Sequence, residues 1–169
     1  MLPGMELTLI ALGANVADPV RTLPMAWRAV VAELGLVRPR LSRVWRSRPA
    51  EQANGPRFAN AVGLGYTSAD PATLLAQLHA IEAAFGRDRA REGHHGSRAL
   101  DLDLLAVGQL RREEPTLTLP HPRIADRDFV LVPLLELLPQ WIEPRSGRSA
   151  AALLHALAPA ERTLPKEPT

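Results

Sequence analysis

Two aspartates lie within an apolar stretch of the chain, Ala-Leu-Asp-Leu-Asp-Leu-Leu at residues 99–105. Side chains alternate along a β-strand, so Asp101 and Asp103 would lie on one face, roughly 7 Å apart from the rise per residue. Aspartate is disfavoured in strands, and burying a carboxylate without a positive partner costs free energy. Paired carboxylates suit hard divalent cations such as Mg²⁺, which also accept phosphate oxygens as ligands. The pattern therefore predicts a metal site that holds a phosphorylated ligand.

Arginines are concentrated immediately before this strand, in a segment that also contains several glycines. They are Arg87, Arg89, Arg91 and Arg98. A guanidinium group matches two phosphate oxygens in a bidentate arrangement. Carboxylates for a metal and arginines for an anion together predict a polyphosphate site over residues 86–107. The alternative is a solvated loop of mixed charge, followed by a strand whose first aspartate belongs to a turn.

Two other positions carry side chains that could bind a ligand. Phe58 and Asn60 would share a strand face, where an aromatic ring can stack on a flat heterocycle and an amide can bind its edge. His121 lies between Pro120 and Pro122, which fix the backbone and present the imidazole rigidly to a phosphate oxygen. Both features have simpler explanations. Phe58 would then be a core residue with Asn60 in a turn, and His121 a packing or surface residue.

The composition is that of an ordinary globular protein. The 169 residues are 46% hydrophobic and 22% charged, and we expect a single domain over residues 1–169. Lys166 is the only lysine, and a formal net charge of +2 gives weak support for nucleic-acid binding. The chain has no cysteine, and no segment approaches the ~20 apolar residues of a membrane span. We therefore expect a cytoplasmic monomer that binds neither nucleic acid nor membrane.

These residues need a scaffold, and the apolar periodicity predicts its elements. Four strands are expected, over residues 7–12, 40–47, 58–67 and 99–107. Helices over residues 22–34 and 70–85 separate them, and the order β-α-β-β-α-β predicts a ferredoxin-like α+β core with an antiparallel sheet. A C-terminal helical extension follows, with a hairpin over 110–119, a helix over 126–138 and a last helix capped by Ser149. Residues 159–169 are expected to fray.

Two local details bear on how these elements form. The first helix has two candidate starts, because Asp18-Pro19 has the form of a cap but would place Pro24 inside the helix. A start at Thr22 avoids this. One face of the third strand carries small residues only, so we expect another element to pack very close to it. These residues are Ala59, Ala61, Gly63 and Gly65.

Six sequence motifs appear in the same order as in a known enzyme family. They are Ala-Leu-Gly-Ala-Asn at 11–15, Phe-Ala-Asn-Ala-Val at 58–62, Ile-Glu-Ala-Ala-Phe-Gly-Arg at 81–87, Ser-Arg-Ala-Leu-Asp-Leu-Asp-Leu-Leu at 97–105, Leu-Pro-His-Pro-Arg at 119–123 and Arg-Asp-Phe-Val-Leu-Val-Pro-Leu at 127–134. Over residues 7–157 the chain resembles the 6-hydroxymethyl-7,8-dihydropterin pyrophosphokinases, folate-pathway enzymes that transfer pyrophosphate from ATP to a pterin alcohol. The resemblance implies their three-layer α-β-α fold. It also implies in-line attack of the hydroxymethyl oxygen on the β-phosphorus of ATP, with release of AMP.

The resemblance further implies roles for individual residues. Asp101 and Asp103 would hold two Mg²⁺ ions that bind the triphosphate and, with Arg87 and Arg98, would be catalytic. The side chains expected to contact or approach ATP are Arg87, Arg98, Thr118 and His121. The residues expected around the pterin are Phe58 and Phe129 on its two faces, Asn60 at its edge, and backbone groups near Ser47 and Pro49. The lid over the site would include Arg89, His95 and Arg127.

The chain differs from the family in this lid. Where the family usually has Trp-Gly-Pro-Arg-Thr, this chain has His95-Gly96-Ser97-Arg98-Ala99. Losing a tryptophan and a proline raises the entropy cost of ordering the loop, so we expect slower turnover than in the relatives. The difference also leaves open a pterin- or nucleotide-binding protein that has lost turnover. An RNA-binding module is disfavoured, because aromatic residues make up only 4% of the chain.

Overall fold

An antiparallel β-sheet of five strands forms the middle layer of the protein. A computed structural model describes residues 2–47, 57–87, 99–158 and 162–164. The strands are β1 (Glu6–Ala14), β2 (Val37–Leu41), β3 (Trp45–Ser47), β4 (Phe58–Thr67) and β5 (Asp101–Val107). Their order across the sheet is β2-β4-β1-β5, and β3 also pairs with β4.

Helices cover both faces of this sheet. One layer is formed by α1 (Pro19–Glu33) and α2 (Pro71–Ala84). The other contains a 3₁₀ turn (Ile124–Asp126), α3 (Asp128–Leu137) and α4 (Ala150–Ala156). Between β5 and this second layer, in chain order, β6 (Arg112–Glu114) and β7 (Leu117–Leu119) form a separate two-stranded sheet. With β2 and β3 counted as one interrupted strand, the order is β-α-β-β-α-β, and the predicted ferredoxin-like fold is confirmed.

The alternation of side chains along the strands divides the sheet between two cores. Ile10 and Leu102 face α1 and α2, whereas Leu9 packs with α3 and α4. By the same alternation, Asp101 and Asp103 belong to the face of α3 and α4. Their side chains keep 25% and 28% of their surface exposed. The helices of the second layer therefore leave this part of the sheet open.

The small-residue face of β4 lies against the first helical layer, as the sequence predicts. A Cβ atom at Gly63 would overlap the ring of Trp27, and one at Gly65 would lie 2.8 Å from the Cβ of Leu36. Trp27 is buried, so its ring fills the space that the glycine leaves. Glycine allows this close approach because it carries no side chain.

Gly63→Ala should therefore lower the free energy of unfolding by about 1–3 kcal/mol, because the added methyl group overpacks the contact with Trp27. Denaturant unfolding followed by circular dichroism measures the change. Gly13→Ala on the neighbouring strand is the matched control, since a Cβ there would meet its nearest atom at 3.5 Å. Equal midpoints for the two variants would show that Trp27 does not depend on this glycine.

The first helix begins earlier than the sequence prediction favoured. The Asp18 carboxylate accepts a hydrogen bond from the N–H of Arg21 at 3.3 Å, so Asp18 is the N-cap. The hydroxyl of Thr22 donates to the Asp18 carbonyl at 2.9 Å. Of the two candidate starts, the one at Asp18-Pro19 is confirmed and the one at Thr22 is wrong. Pro24 removes one internal hydrogen bond, but burial of one face of the helix outweighs this loss. The buried residues are Leu23, Ala26, Trp27 and Val30.

Two further boundaries differ from the prediction. Ser42 interrupts the predicted second strand, because its hydroxyl oxygen accepts from the N–H of Val62 at 3.0 Å in place of a backbone carbonyl. Within the helix predicted over 126–138, Asp126 belongs to a separate 3₁₀ turn, and α3 starts at Asp128.

No helix in the described ranges is long and apolar enough to cross a membrane.

The described part of the C-terminal tail is held against the second helical layer. The N–H groups of Thr163 and Leu164 donate to the carboxylate of Asp128. The prediction of fraying therefore does not hold at these two residues. Residues 159–161 and 165–169 lie outside the described ranges.

Candidate active site

The register of the sheet brings two of the chemically distinctive positions, Asn60 and Asp101, into one row with a glycine between them. Asn60 on β4 is paired with Gly13 on β1, and Gly13 is paired in turn with Asp101 on β5. In the next row, Ala11 is opposite Asp103. Asn60 and Asp101 are thus two strand spacings apart, about 10 Å. A Cβ at Gly13 would lie 3.5 Å from Asn60 Oδ1 and 3.9 Å from Asp101 Cβ, so the sheet between the amide and the carboxylates forms a floor without large side chains.

Asp101 belongs to a network that joins β5 to the end of α2. The Arg87 guanidinium donates to Asp101 and, at 2.6 Å, to Oε1 of Glu82. Oε1 of Glu82 also accepts the N–H of Leu102 at 2.7 Å. The Glu82 and Arg87 side chains are only 1% and 8% exposed. Because Glu82 binds both the guanidinium and the strand backbone, it holds Arg87 beside the first carboxylate.

Asp103 is bound from the other side, by residues of the second helical layer. Arg127, which precedes α3, donates from Nη1 to Asp103 Oδ2 at 2.9 Å. His121 places Nε2 at 3.9 Å from the same oxygen. Each carboxylate therefore has an arginine partner, one from each helical layer.

The protonation of His121 follows from its surroundings. Burial lowers the pKa of His121 below its ordinary value, and the Asp103 carboxylate offsets only part of this effect. Its Nδ1 accepts a hydrogen bond from the N–H of Arg123 at 3.2 Å. A neutral imidazole that accepts at Nδ1 carries its proton on Nε2. His121 is thus a hydrogen-bond donor toward the carboxylate side of the site.

The amide end of the floor is built from β3 and β4. Nδ2 of Asn60 donates to the Ser47 hydroxyl at 2.8 Å, and both residues are buried. Ser47 is paired with Phe58 across the two strands, and Phe58 is part-buried. The ring of Phe129, from α3, has the Arg127 guanidinium 5.6 Å from its centre. The Ser47 bond fixes the orientation of the Asn60 amide.

The carboxylate pair fits a cation that is held partly by its ligand. Asp101 and Asp103 supply hard oxygen donors on one open face, as Mg²⁺ requires. Among the described residues, no group of three or more histidine, cysteine, aspartate or glutamate side chains could hold a metal. Two carboxylates leave most coordination positions to water or phosphate oxygens. The residues present suit a metal that arrives with a polyphosphate.

The structure brings most of the predicted site residues to this region of the sheet. They are Ser47, Phe58, Asn60, Arg87, Asp101, Asp103, His121, Arg127 and Phe129. Thr118 lies on β7, where it is paired with Glu113 of β6. Four further predicted residues lie outside the described ranges: Pro49, Arg89, His95 and Arg98.

Two contributions were not predicted from the sequence. Glu82 was given no role there, although it lies four residues after Leu78 on the apolar stripe of α2, and a carboxylate at such a position calls for a buried partner. Ser47 was expected to act through its backbone, whereas its hydroxyl binds Asn60. No sequence signal identifies that hydroxyl, because its partner is set by strand pairing.

Carboxylates that can hold a metal, beside arginines on an open face, are the parts that phosphoryl-transfer enzymes use to bind and stabilise phosphates. The sequence model of the 7,8-dihydro-6-hydroxymethylpterin-pyrophosphokinase family matches residues 9–139. The chain belongs to this family of folate-synthesis enzymes, for which ATP is the co-substrate.

Individual relatives agree with the family match. A Synechocystis sp. protein named 2-amino-4-hydroxy-6-hydroxymethyldihydropteridine pyrophosphokinase is 38% identical over 146 residues, covering 86% of this chain and 73% of that protein. A Pseudomonas aeruginosa protein of the same name is 38% identical over 149 residues, covering 87% and 89%. A solved wild-type HPPK-DHPS from Plasmodium falciparum shares the fold, with a TM-score of 0.68 at 11% identity over 89% of this chain. The chain spans only 44% of that solved chain.

Proposed function

We propose that this enzyme transfers pyrophosphate from ATP to the hydroxymethyl group of 6-hydroxymethyl-7,8-dihydropterin and releases AMP. The observation that carries the proposal is the row of Asn60, Gly13 and Asp101. The Asn60 amide, which would bind a heterocycle, and the Asp101 carboxylate, which would hold a cation, lie at the two ends of one open floor. Their separation of about 10 Å leaves room for a pterin at one end and phosphates at the other. The family match over residues 9–139 supports the same reaction.

In this reaction the hydroxymethyl oxygen forms a bond to the β-phosphorus of ATP. The bond from that phosphorus to the oxygen shared with the α-phosphate breaks, and AMP leaves with this oxygen while the hydroxyl proton passes to solvent. Reactions of this type depend mainly on positioning and on charge stabilisation. Asp101 and Asp103 would hold the metal, for which we propose two Mg²⁺ ions. When bound, Mg²⁺ supplies charge neutralisation on the phosphate oxygens.

The basic side chains act directly on the phosphates in this proposal. Arg87 and Arg127 lie against the carboxylates, so they are placed to bind the phosphate oxygens that arrive beside them. His121 carries its proton on Nε2 and donates a hydrogen bond to a phosphate oxygen, which makes it a donor and not a general base. The residues proposed for the remaining nucleotide and lid contacts are Arg89, His95, Arg98 and Thr118.

At the other end of the floor, the pterin would stack between Phe58 and Phe129. The Asn60 amide would bind the polar edge of the ring, with its orientation fixed by Ser47. Backbone groups near Ser47 and Pro49 would also bind the pterin. This arrangement separates the centres of pterin and nucleotide recognition, because Phe58 and Asn60 lie on β4 whereas Asp101 and Asp103 lie on β5.

Asn60→Ala should weaken pterin binding about ten-fold, because losing the hydrogen bonds to the ring edge costs on the order of 1–3 kcal/mol. The Kd for ATP should stay within about two-fold of the wild-type value. Isothermal titration calorimetry with each ligand measures both quantities. Ser47→Ala is the graded companion variant: it removes only the partner of Asn60 and should weaken pterin binding less. Equal losses for pterin and ATP in Asn60→Ala would count against this assignment.

The reaction itself is tested by an omission assay. Purified protein is incubated with ATP, Mg²⁺ and the pterin alcohol, and AMP is measured against parallel samples that lack each component. We expect AMP only in the complete mixture. Pterin and ATP binding without AMP would instead identify the catalytically impaired binding protein that the altered lid sequence left open. Formation of ADP would show a different group transfer.

We also propose that the enzyme acts in the cytoplasm as a single-domain monomer on small-molecule substrates. The absence of cysteine supports a reducing compartment. Among the described residues, those proposed for the metal and for the pterin ring lie on the five-stranded sheet and on α3, so one chain suffices to build this part of the site.

A further inference from the structure

The tail segment 162–164 crosses from α4 to the start of α3. Arg162 donates from Nη2 to the carbonyl of Leu154 on α4 at 3.3 Å. The two residues that follow turn to Asp128, the first residue of α3. This segment lies beyond residue 139, where the match to the family ends. Its contacts therefore join a segment outside that match to Asp128, which lies inside it.

Asp128 is a buried carboxylate that the proposed reaction does not use. The residue is 2% exposed. Its Oδ2 accepts the N–H groups of Thr163 at 2.7 Å and Leu164 at 2.8 Å, and its Oδ1 accepts the Thr163 hydroxyl at 2.7 Å. Hydrogen bonds to an ionised acceptor are roughly twice as strong as neutral ones. The tail thus supplies three donors to a carboxylate that would be costly to bury without them.

The residues on either side of Asp128 belong to the proposed site. Arg127 binds Asp103 at 2.9 Å, and its guanidinium lies 5.6 Å from the centre of the Phe129 ring. Arg127 is the N-cap residue of α3, and its side chain makes no capping hydrogen bond. The start of α3 is therefore held by the tail on Asp128 instead of by a cap of its own.

We propose that the tail is a positioning element for the pterin site. By binding Asp128, Thr163 and Leu164 fix the first turn of α3 and with it the ring of Phe129. Asp128 is then a positioning residue, since it acts through its neighbour and touches no substrate. The inference rests on the proposed stacking of pterin on Phe129. A contact that served only stability would leave the pterin affinity of the folded protein unchanged, whereas positioning lowers it selectively.

The test uses full-length variants. Thr163→Pro removes one backbone donor and the hydroxyl, and Thr163→Val removes the hydroxyl alone. Asp128→Ala removes the acceptor. Arg162→Ala is the matched control, because it alters the contact of the tail with α4 and leaves the three bonds to Asp128 in place.

Two properties are measured: the environment of the Phe129 ring, and the affinities for the pterin alcohol and for ATP. The sequence has three phenylalanines, so protein labelled with fluorophenylalanine gives three ¹⁹F resonances. Phe129→Leu identifies the Phe129 resonance, and Phe85, the C-cap residue of α2, serves as the internal reference. Kd values for the pterin alcohol and for ATP are measured by calorimetry on the same samples.

In Thr163→Pro and Asp128→Ala we expect the Phe129 resonance to shift or broaden while that of Phe85 stays unchanged. The Kd for pterin should rise about ten-fold, with a smaller rise in Thr163→Val. The Kd for ATP should stay within about two-fold, because Arg127 keeps its ion pair with Asp103 when the tail is released. Arg162→Ala should behave as the wild type. If Asp128→Ala does not fold, the Thr163 variants decide the question.

A wild-type pterin affinity in folded Thr163→Pro overturns the inference, whatever the resonance does. Equal losses of pterin and ATP affinity overturn it as well, because they indicate a general loss of structure. Failure of the wild-type protein to bind pterin overturns the proposed function instead. In that case the Phe129 resonance alone decides whether the tail positions the ring.

Discussion

Asp101→Asn and Asp103→Asn are each expected to lower the rate of AMP formation by about 10²–10³-fold, because a bound metal contributes several kcal/mol of charge stabilisation. Asparagine keeps the size of the side chain and removes the charge that holds the cation. Pterin affinity should stay unchanged, since stacking and the Asn60 amide do not need the metal. Steady-state assays for AMP and calorimetry with pterin alone measure the two effects.

Asp126→Asn is the matched control for both variants. Asp126 is an exposed aspartate at the end of the 3₁₀ turn, and it is not one of the residues assigned to the site. It should retain full activity. Activity of Asp101→Asn or Asp103→Asn near that of Asp126→Asn would remove the carboxylate pair from the mechanism.

Gly13→Leu is expected to lower kcat/KM by about 10- to 100-fold. The substrates would have to displace the leucine side chain from the floor, at a free-energy cost similar to that of overpacking a core. The leucine would fill the space between Asn60 and Asp101, where a Cβ alone lies within 4 Å of both. The substrates would then be unable to occupy both ends of the floor in productive geometry. Kinetics with each substrate varied in turn measure the loss.

Gly13→Ala tests whether this loss comes from obstruction. An alanine Cβ would meet its nearest atoms at 3.5 and 3.9 Å, which is ordinary van der Waals contact, so this variant should keep most of its activity. Comparable activity in Gly13→Leu and Gly13→Ala, with both folded, would mean that the substrates do not cross this floor.

The elements of the fold were predictable because their causes are local. Apolar runs bounded by turn residues and the alternation of side chains indicated the strands of the sheet, and the spacing of Asp101 and Asp103 indicated their common face. The boundaries that failed depend on partners far along the chain. The second strand is interrupted because Ser42 binds Val62, twenty residues away, and the helix that begins at Pro19 survives an internal proline because its face is buried.

The sequence identified candidate site residues where the proposed chemistry is carried by charged or aromatic residue types. It did not identify them where a residue acts through a partner that only the fold brings near. Glu82 contacts Leu102 across twenty residues, and Asp128 contacts Thr163 across thirty-five. The sequence does not indicate which residue becomes the partner in either case. The first partner is set by the packing of a helix against a strand, and the second by the packing of a helix against the tail.

The central claim is that one open face of the sheet binds ATP and the pterin alcohol together and transfers pyrophosphate from the first to the second. A single-turnover reaction followed by ³¹P NMR tests it most directly, with enzyme in excess over both substrates. We expect AMP and a pterin diphosphate to appear in equal amounts, with the loss of ATP matching each of them. ATP consumed without phosphorus signals on the pterin, or both substrates bound and unchanged, would contradict the account.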